Sequence, residues 1–159
     1  MASQRQRKRR FATILAVLCL LAVEASAATN EQIVSDPNSG LAISGYDPVA
    51  YFTDARAMQG AASLERGYGG VVWRFRNEGN LAAFADDPDV YMPRFGGYDP
   101  VAISRGASVA GHPQFWLVRG RKLYLFHDEQ ARAAFAAEPD RYATEASGKW
   151  DAVRAKLAR

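Results

Sequence analysis

The side chains with chemistry to offer fall inside repeated words. Asp47 and Asp99 occupy the same place in two identical hexapeptides, Gly45-Tyr46-Asp47-Pro48-Val49-Ala50 and Gly97-Tyr98-Asp99-Pro100-Val101-Ala102. A pair of carboxylates placed in this way could hold a cation, or each could accept backbone hydrogen bonds inside its own Asp-Pro turn. Tyr46 and Tyr98 present faces on which a ligand could stack, or they could serve packing, and Tyr124 is a further candidate ligand contact. His127, followed by Asp128, could bind an anion or share a metal with Asp99 or His112; otherwise it is a surface residue beside a helix cap. The candidate ligand-binding set is therefore Tyr46, Asp47, Tyr98, Asp99, Tyr124 and His127, with no catalytic residue, no metal ligand set and no cofactor.

Covalent catalysis has little to work with. Gly106-Ala107-Ser108-Val109-Ala110 departs from a nucleophile elbow because Ala110 stands at the final glycine, and dinucleotide and phosphate-loop glycine spacings are missing. An acid/base pair of Asp99 and His127 would require the two to be neighbours. A non-enzyme is expected.

The elements that must position these residues also come twice. At an offset of 51, Gly69, Phe75, Phe84, Pro88, Asp89 and Tyr91 match Gly120, Phe126, Phe135, Pro139, Asp140 and Tyr142, and Trp73 matches Tyr124 by type. A fixed period near 50 is the mark of duplicated units. Each unit opens on an Asp-Pro turn. A hairpin follows: Val71, Trp73 and Phe75 alternate with polar neighbours around a Gly67 to Gly70 turn, and Phe115 to Val118 and Leu123 to Phe126 flank Arg119 to Lys122. The cluster at Arg119 to Lys122 could receive an acidic partner or simply be solvated. A short helix comes next, capped by Asn77 or Asp128, with Leu81 and Phe84, or Ala131 and Phe135, facing inward and Pro88 or Pro139 ending it. A last helix over about 147–159 carries Trp150, Val153 and Leu157 on one stripe. The fold class is α+β: one repeat over 41–92, a second over 96–143, and the C-terminal helix. Four large aromatics per unit are too few to stabilise about 50 residues alone, so the units are expected to share one core.

Arg5, Arg7, Lys8, Arg9 and Arg10 precede an uncharged apolar run from Phe11 to Val23, and Ala25-Ser26-Ala27 offers a cleavage site. This reads as a signal peptide over 1–27, followed by a linker over 28–40, and the apolar run is too short to span a bilayer. Cleavage would remove five of the 20 basic residues and one of the 17 acidic ones, leaving 15 against 16 and discarding the positive excess that nucleic-acid binding needs. The single cysteine, Cys19, would leave with the leader, so the exported chain has no disulfide and no thiolate. A periplasmic or secreted location is expected, with no nucleic-acid partner and no stable membrane anchor.

The Asp-Pro-Val opening, the hairpin ending in aromatic-x-Phe, the short helix with Phe and the Pro-x-x-Tyr close resemble the YHS domain over about Leu41 to Trp150. Gly45 to Phe52 is similar to the opening of an exported subgroup of that family. The resemblance implies a small unit often linked to metal binding, in which one cysteine follows Asp-Pro-Val, a second follows the hairpin Phe and a third lies four residues further on. Here these positions hold Ala50, Arg76 and Asn80, then Ala102, His127 and Ala131, and Asp99 follows Gly96-Gly97-Tyr98 where exported members often carry a thiol or selenol. The resemblance thus implies the scaffold without its thiolate metal site. The expected function is a non-enzymatic, exported binding or interaction module for a small ligand or a periplasmic protein. The alternative is a metal-handling protein using Asp47, Asp99, His112 and His127.

Overall fold

The structure is a computed structural model and describes residues 31–157. The expected leader, residues 28–30 and the last two residues lie outside that range.

In both halves the chain reaches Asp-Pro through a tight turn, Ile43–Gly45 or Arg94–Gly97, where Ser44 (φ 55°) and Phe95 (φ 56°) adopt the left-handed conformation. That region is costly for residues with a Cβ, and backbone bonds hold each turn closed: Gly60 N–H to Gly45 O and Gly111 N–H to Gly97 O, both 2.9 Å. After the turn each proline opens or precedes a single helical turn, α1 (Ala50–Thr53) or α4 (Pro100–Ile103).

Two antiparallel hairpins follow, β1 (Ala61–Tyr68) with β2 (Val71–Phe75) and β3 (His112–Arg119) with β4 (Lys122–Phe126). Their two-residue turns, Gly69-Gly70 and Gly120-Arg121, have positive φ at both positions, the geometry whose twist matches paired strands. Each long strand is interrupted once, between Ala61 and Glu65 and between His112 and Trp116. Helices α2 (Glu78–Asp86) and α5 (Glu129–Ala137) begin on Asn77 and Asp128, whose side chains accept the N–H of Asn80 and Ala131 at 2.8 Å.

Pro88 and Pro139 end these helices and start the next ones, since a first-turn residue needs no N–H. They open α3 (Pro88–Tyr91) and α6 (Pro139–Arg154). The last helix therefore begins eight residues before the expected 147. In α3 the chain turns extended at Met92, ahead of Pro93. No proline follows Tyr142 at that distance, and α6 runs on through Gly148.

The architecture is α+β, with two separate two-stranded sheets and six helices among the described residues. Phe84 packs on Trp73 and Phe75 at centroid distances of 5.2 and 5.1 Å, and Phe135 on Tyr124 and Phe126 at 4.8 and 5.2 Å. Where one shared core was expected, the buried apolar residues form two clusters that meet at β4. Leu123 and Leu125 belong to the cluster of Trp73, Phe75 and Phe84, while Tyr124 and Phe126 belong to that of Phe95, Phe135 and Tyr142. A strand used on both faces has no polar alternation, as the run Leu-Tyr-Leu-Phe shows.

The described part of the expected linker is bound to both halves. Val34 N–H donates to Gly96 O (2.8 Å) and Val34 O accepts from Ile43 N–H (2.9 Å). A Cβ on Gly96 would lie 1.9 Å from Gln32 O, so this crossing requires glycine. Among the described residues no helix is long and apolar enough to cross a membrane.

Candidate functional site

Asp47 is fully buried and Asp99 is 2 % exposed. A carboxylate at such a position must find donors to replace water. Asp47 has four: Val49 N–H (2.8 Å) and Ala50 N–H (3.3 Å) on Oδ1, then Arg76 N–H (2.9 Å) and the Asn80 side-chain amide (2.7 Å) on Oδ2. Each bond is charge-assisted, and together they tie the Asp-Pro turn to the point where β2 passes into α2. Asp99 repeats the arrangement with three donors: Val101 N–H (2.7 Å) and Ala102 N–H (3.4 Å) on Oδ1, and His127 N–H (3.0 Å) on Oδ2. The fourth place belongs to Ala131, the third residue of α5 as Asn80 is of α2, and a methyl group donates nothing.

Where the Asn80 amide fills the first half, the second half is open. Asp99, Ala102, Arg105, His127, Gln130 and Ala131 line a cavity of about 280 Å³. The three positions 102, 127 and 131 thus come together around one buried carboxylate. In the first half a cavity of about 410 Å³ runs along Arg56 to Ala61 and Arg76, and Asp47 does not line it.

His127 is exposed, and its ring Nδ1 lies 3.3 Å from Ala110 O. With the proton on Nδ1 the ring donates to that carbonyl, and Nε2 is left for a ligand. The contact joining His127 to Asp99 is made by the backbone N–H, so the two are neighbours without a proton path between ring and carboxylate. His112 stands elsewhere: its Nδ1 accepts from Gln114 N–H (3.2 Å) and its ring packs on Phe115. Among the described residues no three His, Cys, Asp or Glu side chains are grouped to hold a metal, and Asp47, Asp99, His112 and His127 do not converge.

The tyrosines do not enter the cavity. The Tyr46 hydroxyl accepts from the Gln114 side chain (2.7 Å), which joins the first half to β3. Tyr98 donates its hydroxyl to Glu31 O (2.5 Å) and packs on Trp150, and burial followed by the charge of Glu31 raises its pKa. Tyr124 is buried between Phe95 and Phe135; burial raises its pKa against the opposing pull of Arg94 and Arg119. All three pin parts of the chain together. At the β3–β4 tip Arg119 pairs with Asp140 at 3.0 Å, an exposed contact of little energetic weight.

Of the six candidate residues, then, the structure brings only Asp99 and His127 to one cavity. Asp128, Arg105 and Gln130 also line it, and Arg105 and Gln130 carry no motif. The signal that could have found the site is the exchange of Asn80 for Ala131, 51 residues apart and each the third residue of its helix. No family model, curated protein or solved structure matches the chain.

Proposed function

We propose that this chain is an exported, non-enzymatic binding module made of two YHS-like units, with a ligand site in the second unit alone. The observation that carries the reading is the cavity over Asp99, set against the Asn80 amide at the corresponding place over Asp47. Duplication is supported by matching elements: strands of eight and five residues, a capped nine-residue helix, and strand interruptions at equivalent places. The first unit is the structural half, and Tyr46 and Tyr51 hold it to β3. The second keeps a buried charge beside open space, an arrangement suited to holding a small molecule in the periplasm or outside the cell. Binding rather than turnover fits a site whose carboxylate is occupied by backbone donors and whose histidine ring faces a carbonyl.

The test is a fragment screen by ¹H–¹⁵N NMR on the purified protein and on Ala131→Leu, in which an isobutyl group fills the cavity. Binders should shift the amides of Ala102, His127 and Ala131, and Ala131→Leu should lose those shifts while keeping the fold. Fragments that leave these three amides unmoved and collect elsewhere would sink the reading.

A further inference from the structure

We infer that the ligand presents a primary carboxamide, with its N–H on Asp99 Oδ2 and its carbonyl toward Arg105; this rests on the binding-module reading above. The template is inside the protein. In the first half the group on the equivalent carboxylate oxygen is a carboxamide, the Asn80 side chain, at 2.7 Å from Asp47 Oδ2. In the second half the carboxylate is buried to nearly the same degree and receives the same two turn amides and the same strand-end amide, but the carboxamide is missing, and Asp99 and Ala131 both line a cavity.

The chemistry of the rim selects among donors. A buried carboxylate oxygen rejects carboxylates and phosphates by charge and accepts N–H groups. An ammonium ion would satisfy Asp99 but offer no acceptor to Arg105, which lines the same cavity along with Asp128 and forms no ion pair among the described residues. A carboxamide serves both: it is neutral, it donates to Asp99, and its carbonyl accepts at the far side from the Arg105 guanidinium.

Acetamide, methylammonium and acetate, each titrated into the protein by ¹H–¹⁵N NMR, separate the possibilities. Acetamide should shift Ala102, His127 and Ala131 saturably and at least about tenfold more tightly than the other two, because methylammonium can bond only Asp99 and acetate only Arg105, and one further charge-assisted hydrogen bond makes that difference. In Ala131→Asn the tethered amide should occupy the place and abolish the acetamide shifts, while also raising the melting temperature. Asn80→Ala should open the vacated position, so that acetamide now shifts Val49, Arg76 and residue 80 as well. If Asn80→Ala does not fold, Ala131→Asn and the wild type decide alone. Methylammonium or acetate binding here more tightly than acetamide would overturn the carboxamide and spare the binding module. No shift by any of the three, together with an unchanged melting temperature for Ala131→Asn, would overturn the carboxamide and count against the cavity as a site.

Discussion

A carboxylate taken out of water loses several kcal/mol of hydration unless donors replace it. Asp47 has four replacements and Asp99 three, so truncation should hurt unequally. Asp47→Ala strands the N–H groups of Val49 and Arg76 and the Asn80 amide; it should cost about 4 kcal/mol in urea unfolding, at about 1–3 kcal/mol per buried group left unpaired. Asp99→Ala should cost about 1 kcal/mol less, because no side-chain amide is orphaned. Equal losses would mean that the Asn80 contact is idle. The converse experiment is Ala131→Asn, where a new bond to a charged group contributes roughly 1.5–3 kcal/mol and the lower helix propensity of Asn subtracts about 0.6; a net gain near 1 kcal/mol is expected. The sequence made part of this legible. Asp-Pro-Val predicts a turn with the carboxylate on its own backbone, and that is half of what each aspartate does. The other half, Asp47 to Arg76 and Asp99 to His127, spans 29 and 28 residues, and no local pattern encodes a contact at that distance. For the same reason sequence does not separate ligand stacking from packing at Tyr46 and Tyr98; their hydroxyl and ring partners do.

At the scale of elements, hairpins and short helices were readable because alternation, turn glycines and cap residues are local signals. The last helix starts earlier than its apolar stripe predicts because Pro139 both ends α5 and starts α6. This has a consequence at Gly148, an exposed position inside α6 where a Cβ would meet nothing within 4 Å. Gly148→Ala should raise stability by about 0.8 kcal/mol, the ordinary Gly-to-Ala difference in a helix interior, read from thermal unfolding. Gly111→Ala should do the opposite: its Cβ would fall 2.6 Å from Gly97 O and 2.6 Å from Leu125 Cβ. Overpacking of this kind costs about 3 kcal/mol or more and should loosen the turn that holds Asp99. The start of α6 has a pH signature too. Arg141 hydrogen-bonds Glu138 at 2.8 Å through both Nε and Nη2, and this lowers the Glu138 pKa from 4.5. A depressed carboxylate supports the fold above its unfolded pKa and loses that support as pH falls through the folded value. Carboxyl NMR should therefore place the Glu138 midpoint below 4.5, and Arg141→Ala should return it upward; a midpoint unmoved by that change would show the pair to be absent in solution.

At the scale of the molecule, two clusters rather than one raise the question of whether the halves fold independently, and β4 answers it through side-chain alternation. Leu123 and Leu125 close the first cluster from the second half, while Tyr124 and Phe126 on the other face build the second. The Tyr51 hydroxyl donates to Pro113 O at 2.9 Å and its ring meets Trp116 edge-on at 5.2 Å, so the first half also reaches into β3. Neither cluster can lose β4 and stay closed, which predicts one cooperative transition. Trp73 lies in the first cluster and Trp150 packs on the second, so the indole N–H signals of Trp73 and Trp150, followed by NMR through one urea series on the same protein, should report the same midpoint. Leu125→Ala should cost about 3 kcal/mol, the usual result of emptying a buried leucine site. The decisive point is where that loss appears. If β4 couples the clusters, the Trp150 midpoint falls as far as the Trp73 midpoint, although Leu125 belongs to the cluster of Trp73 alone. A Trp150 midpoint left in place while that of Trp73 drops would mean that the halves are separable units and that the second, with its cavity over Asp99, stands without the first.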